Sequence, residues 1–220
     1  MSIHDIPDGA GIQFYTPNVT VKNCRFQNIP WQYGIYAVAG GLRVQNSVFV
    51  DVGREAGLFG DGSSGGGCCI GPIRAGGGSE IYYNTFYHSN PVPETAAVYT
   101  TYTDTIIRNN LALNVTSGAD TTFVFSSGGG TMDHNLCTVS HTGCTSTATV
   151  AATVVNAAAG DLHLTATSPA IKQAVAISGI TTDKDGQPRN PPADLGAYEV
   201  VTGGPAPVPA PSKLRVQIVP

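Results

Sequence analysis

The chain has 220 residues, with 27 glycines, 15 prolines, 12% charged residues and a formal net charge of -4. That turn-rich, weakly charged composition argues against a helical protein and suits a chain of short strands. Its lysines and arginines are scattered, so no basic patch addresses nucleic acid, and no apolar run has the length of a membrane-spanning helix.

From the first residues onward the sequence repeats itself. Residues 3–12 align without a gap over residues 26–35, and Val19-Thr-Val-Lys-Asn23 aligns over Leu42-Arg-Val-Gln-Asn46. Val21, Val44, Ile81, Ile107 and Met132 fall in equivalent places, at intervals of about 23, 37, 26 and 25 residues, which is the range of solenoid coils. The long interval contains the glycine-rich stretch 60–67 and reads as one coil with a loop inserted. Within a copy the period is two: Val19, Val21 and Asn23 are followed by Phe26 after a break in the alternation. The pattern predicts two short strands with a bend between them, and Asn tolerates the left-handed backbone of such a bend. Equivalent bend positions are Asn46, Tyr83 with Asn84, Asn109 with Asn110, and His134 with Asn135. Stacked coils would superimpose like on like, with an inner apolar column and Asn amides bonding along the stack.

This pattern, over residues 2–145, resembles the right-handed parallel β-helix proteins of the pectate-lyase-like superfamily, and implies an all-β solenoid of about five coils plus a C-terminal irregular segment. Further on, Asp161-Leu-His-Leu-Thr-Ala-Thr-Ser-Pro-Ala-Ile171, Thr182-Asp-Lys-Asp-Gly-Gln-Pro-Arg189 and Asp194-Leu-Gly-Ala-Tyr-Glu199 look like the closing segment of bacterial secreted β-helix proteins of the choice-of-anchor Q type. The resemblance implies that this segment finishes the solenoid. The domain organisation expected is therefore a β-helix domain at 1–200, a proline-rich extended linker at 201–211, and at 212–220 a stretch similar to the first strand of a fibronectin type III sandwich. Ser2-Ile3 is equivalent to Arg25-Phe26, inside a strand, so further coils upstream are expected.

In β-helix proteins ligands lie on the outer face of one parallel sheet. Carried onto this chain, the resemblance implies a face built from 11–16, 34–38, 69–74, 97–101 and 122–125, walled by loops 28–33, 51–67, 88–95 and 114–120. Trp31, Tyr33 and Tyr36 are the candidate substrate-binding residues, because aromatic faces stack on sugar rings; sealing the loop is the plainer role for Trp31. Lyases of this fold neutralise a uronate carboxylate, often through calcium, and abstract the adjacent proton. The candidate calcium ligands are Asp51, Glu55 and Asp61, and the candidate catalytic residues are Arg74 and Arg54. An ordinary arginine is far too basic for a general base, so carboxylate binding is its more conservative role. Ordinary solvated loop charges are the plainer explanation of the same residues.

Among the other candidates, His88 and Glu94 flank a loop, His134 reads as a structural bend residue, and Asp183-Lys-Asp-Gly186 reads as a tight turn. Cys137 and Cys144 are spaced for a short disulfide, though two free buried thiols fit as well. The functional expectation is an extracellular or cell-surface domain directed at polysaccharide, lyase-like on an acidic polymer. Its alternative is a non-catalytic adhesion, glycan-binding or spacer module, and fold alone does not choose between them.

Overall fold

A computed structural model describes residues 1–6, 9–30, 33–53, 73–89, 97–100, 102–115, 130–139 and 143–200, with the backbone of 217–218. The chain winds as an all-β parallel solenoid. Four turns each contain three strands: β1 (Ser2–His4), β2 (Ile12–Phe14) and β3 (Val19–Lys22); β4 (Arg25–Ile29), β5 (Ile35–Ala37) and β6 (Arg43–Gln45); β7 (Val48–Val52), β8 (Ile73–Arg74) and β9 (Glu80–Tyr82); β10 (Thr85–Tyr87), β11 (Val98–Tyr99) and β12 (Ile106–Arg108). A fifth turn begins with β13 (Leu111–Leu113) and returns through β14 (Thr131–Asp133), followed by β15 (Asn135–Cys137) and β16 (Cys144–Thr147). Like strands stack in parallel into three sheets. Sheet A runs β1-β4-β7-β10-β13-β15-β16, sheet B runs β2-β5-β8-β11, and sheet C runs β3-β6-β9-β12-β14.

The register is the repeat made physical. Val21 pairs with Val44, Val44 with Ile81, Ile81 with Ile107 and Ile107 with Met132. On sheet A the inward column contains Phe26, Phe49 and Phe86, all fully buried, whose rings stack at centroid distances of 4.8 and 5.0 Å. Burying each such side chain contributes roughly 1.5–3 kcal/mol, so the inner column is the main source of cohesion.

The bend between sheets C and A uses two columns that the sequence pattern merges into one. The left-handed residues are Asn23, Asn46, Tyr83, Asn109 and His134, with φ between 49° and 62°. The amide ladder stands one residue later, in the column Cys24, Ser47, Asn84, Asn110 and Asn135. There Asn84 Oδ1 accepts from Ser47 N at 2.9 Å, Asn110 Oδ1 from Asn84 N at 2.8 Å, and Asn135 Oδ1 from Asn110 N at 3.0 Å. Each amide Nδ2 also donates to the stack, so these fully buried polar groups are satisfied turn by turn. His134 holds a bend position, as expected. A second left-handed column closes sheet A, at Asp5, Asn28, Asp51 and Asn114, with φ from 52° to 56°.

The C-terminal segment does not stack as a further coil; it is irregular, as expected, and lies along sheet A. It contains α1 (Val150–Thr153) and the antiparallel pair β17 (Val154–Asn156) and β18 (Asp161–Leu164), then runs without regular structure to residue 200. Its Leu162, Leu164, Ala170, Leu195, Ala197 and Tyr198 bury the outward side chains of sheet A, among them Val48, Val50, Tyr87, Leu111, Leu113 and Leu136. A parallel sheet covered on both faces reads as a continuous apolar run, and Leu111-Ala-Leu113 is one. The approach is close: a Cβ on Gly196 would lie 2.6 Å from Leu111 Cδ1, and its φ is +86°.

The motifs of that segment are its fastenings. Arg189 is nearly sealed and donates to Glu199 Oε1 at 2.7 Å, to Asn46 Oδ1 at 2.9 Å and to the Gly196 carbonyl at 2.8 Å, with its guanidinium carbon 3.9 Å from the centre of the Tyr83 ring. Asp183 Oδ1 accepts from the amides of Asp185 and Gln187, so 183–186 is the tight turn expected. His163 lies between Asp161 at 2.6 Å and Asp185 at 2.8 Å. Finally, Gln217–Ile218 (β19) pairs antiparallel with β3, Ile218 opposite Val19.

Candidate functional site

The three sheets share one interior and differ outside. Sheet A is covered by the C-terminal segment, and sheet C carries a charged ladder that includes Arg43 with Glu80 and Arg108 bidentate to Asp133. Sheet B is the face on which the expected ligand residues gather. Its strands β2, β5, β8 and β11 fall within the stretches the sequence assigns to that face, while 122–125 lies outside the described residues.

Alternation decides which side chains point out. Ile35, Ile73 and Val98 are fully buried, so their neighbours Tyr36, Arg74 and Tyr99 face outward, in register with one another and with Gln13. Tyr33 stacks on Tyr36, with centroids 5.3 Å apart and planes within 15°. Arg74 then lies over Tyr36, its guanidinium carbon 4.9 Å from the ring centre, and reaches Tyr99 at 5.6 Å. The result is a continuous strip of Tyr33, Tyr36, Arg74 and Tyr99 along the stack of coils. Gln13 extends it, donating to the hydroxyl of Tyr15, which is 72% exposed. No acidic side chain pairs with Arg74 among the described residues, so its charge is held by ring faces alone.

The other expected site residues separate from this strip or fall outside the description. Asp51 holds a left-handed position at the end of β7, and its Oδ1 accepts from both the amide and the hydroxyl of Ser89, at 2.8 and 2.9 Å. Trp31, Arg54, Glu55, Asp61 and Glu94 lie outside the described residues. Among the described residues no three His, Cys, Asp or Glu side chains group as metal ligands. His88 is fully buried, with Nε2 3.1 Å from the Val52 carbonyl, so it serves the stack.

Sequence reasoning missed Gln13 and Tyr99. The signal was present: in the first repeat Ile12-Gln13 aligns over Ile35-Tyr36, and one coil beyond Ile73-Arg74 the same place is Val98-Tyr99. It also missed that Asp5, Asn28 and Asp51 recur one coil apart as bend residues, which gives Asp51 a backbone role independent of any ligand.

Perturbed ionisation is concentrated away from sheet B. Burial pushes the Glu199 carboxyl up to about 7, against the pull of Arg189. Such a value often marks a catalytic acid, yet this side chain is only 8% exposed and clamped under the C-terminal segment, so it is structural. Cys137 and Cys144 are disulfide-bonded, and Cys24 is a buried free thiol. No helix among the described residues is long and apolar enough to cross a membrane. No protein-family model matches this sequence, and no curated protein sequence matches it.

Proposed function

We propose that this solenoid is an extracellular carbohydrate-directed domain that binds an acidic polysaccharide along the outer face of sheet B. The observation that carries the reading is Arg74, held between the rings of Tyr36 and Tyr99 on a face that no described segment covers, and without an acidic partner among the described residues. A guanidinium so placed offers a forked set of donors to a uronate carboxylate, and the flanking rings offer flat apolar surfaces to the C–H faces of neighbouring sugars. Strands in a sheet repeat at roughly 4.8 Å, so successive outward side chains present a regular ladder to a regular polymer. The Cys137–Cys144 bridge supports an oxidising compartment, consistent with secretion or display at the cell surface. The resemblance to pectate-lyase-like and choice-of-anchor proteins supports the same assignment.

A lyase-like activity on the same polymer is the second reading, favoured by the central position of Arg74 on the face. Its chemistry would draw on Arg54 and on calcium held by Asp51, Glu55 and Asp61. Calcium-dependent release of unsaturated, ultraviolet-absorbing products from polyuronates is its readout. Retained binding without release assigns the domain to adhesion or spacing instead. Binding itself is tested by affinity electrophoresis in gels of acidic and neutral polysaccharides. Retardation in polyuronate gels that the Arg74→Ala variant loses supports the proposal; equal mobility in all gels refutes it.

A further inference from the structure

The outer face of sheet C carries a groove with two chambers of about 290 and 330 Å³, which share Arg43 and Glu80 as their common wall. The first lies between sheet C and the overhanging segment 177–180, so it exists only because the C-terminal segment lies where it does. We propose that this chamber binds a neutral sugar unit, independently of the sheet B strip.

The chemistry of its lining selects that class. Arg43 and Glu80 pair at 2.5 Å through Glu80 Oε2, leaving Oε1 and part of the guanidinium without a protein partner among the described residues. The Gln45 amide lines the same chamber and adds one more donor and acceptor pair. Tyr82 is only 6% exposed yet lines the chamber, and no protein group among the described residues bonds its hydroxyl. Burial pushes that phenol up, so it stays protonated as a donor. Ile177 and Ile180 supply an apolar flank opposite these polar groups. Arg43 and Glu80 neutralise one another at the wall, so the chamber offers no net charge to an ionic ligand, whereas an intermingled set of donors and acceptors beside an apolar wall matches the alternating hydroxyls and C–H face of a neutral pyranose. The volume is at the lower end for ligand pockets and suits one or two sugar units rather than a chain.

The test maps amide shifts of the isotopically labelled full chain on titration with neutral oligosaccharides (gluco-, manno- and galacto-configured) and with oligouronates. The expected result is perturbation of Ser178 and Gly179 by at least one neutral series, with affinity at least about tenfold weaker in Glu80→Gln, because a charged acceptor is lost. Ser178→Trp, which fills the exposed overhang, should abolish those shifts. Tyr36→Ala should leave them unchanged, and that result separates the groove from sheet B. A folded wild-type chain whose 177–180 amides respond to no neutral sugar overturns the proposal. So do shifts there with oligouronates alone, or neutral-sugar shifts that Tyr36→Ala removes.

Discussion

Sheets A and B are built from the same repeat and have opposite outer faces. On sheet A the outward column begins polar, with Ser2 and Arg25, and continues through Val48, the buried Thr85 and Leu111 to Leu136, where the C-terminal segment covers it. On sheet B the outward column is Gln13, Tyr36, Arg74 and Tyr99, and no described segment covers it. The inner columns are interchangeable in kind, so cohesion of the coil places few demands on the outer face. What a solenoid does with each face is written in the residues next to the buried ones, and covering one face with its own chain concentrates the available binding groups on the others.

Removing the fastening of sheet A should destabilise the molecule most. Arg189→Ala leaves Glu199 buried without its partner and Asn46 Oδ1 without its donor, so chemical denaturation should register a loss of about 3–5 kcal/mol, the cost of halving a buried pair. The exposed column of sheet A should then bind an apolar dye, while sheet B remains assembled. Gly196→Ala comes next. A side chain there meets Leu111 and must hold a φ of +86°, so the same denaturation experiment should show at least about 1–2 kcal/mol of destabilisation.

A gentler probe of the same fastening is pH. The Asp185 hydrogen bond raises the His163 pKa, with Asp161 adding to it against burial. Because the folded value lies above the unfolded one, this contribution is complete below about pH 6.5 and is lost as pH rises through the folded value. The Asp185 pKa is lowered by the same hydrogen bond, so its contribution is present above about pH 3.9 and is lost as pH falls through its folded value. Thermal melts should therefore show a fall in midpoint as pH rises through the raised His163 value, a fall that His163→Gln removes. The smallest effect on stability is expected on sheet B: Tyr36→Ala and Arg74→Ala remove half-buried side chains on the outer face and should change folding free energy by about 1 kcal/mol or less, while weakening glycan binding.

These regions were unequally legible in the sequence. The inner column was readable because its period sets apolar identity at Val21, Val44, Ile81, Ile107 and Met132 whatever the loops do. The ladder of Ser47, Asn84, Asn110 and Asn135 was readable as a repeated amide but blurred with the bend beside it, since Asn suits both a left-handed backbone and a buried amide stack. Tyr36 was readable as the outward neighbour of the inward Ile35. The docking of residues 150–200 on sheet A was not, because contacts such as that of Arg189 with Asn46 span 143 residues and leave no period. For the same reason the groove under 177–180 had no signature in either segment alone.

Uptake of an acidic polysaccharide by the Tyr33, Tyr36, Arg74 and Tyr99 strip of sheet B is read out by affinity electrophoresis of the wild-type chain beside Arg74→Ala and Tyr36→Ala. The expected result is retardation of wild type in polyuronate gels and at least about tenfold weaker binding by the Arg74 variant, in proteins that remain folded. Undiminished retardation of both variants, or none for the wild type, would contradict it.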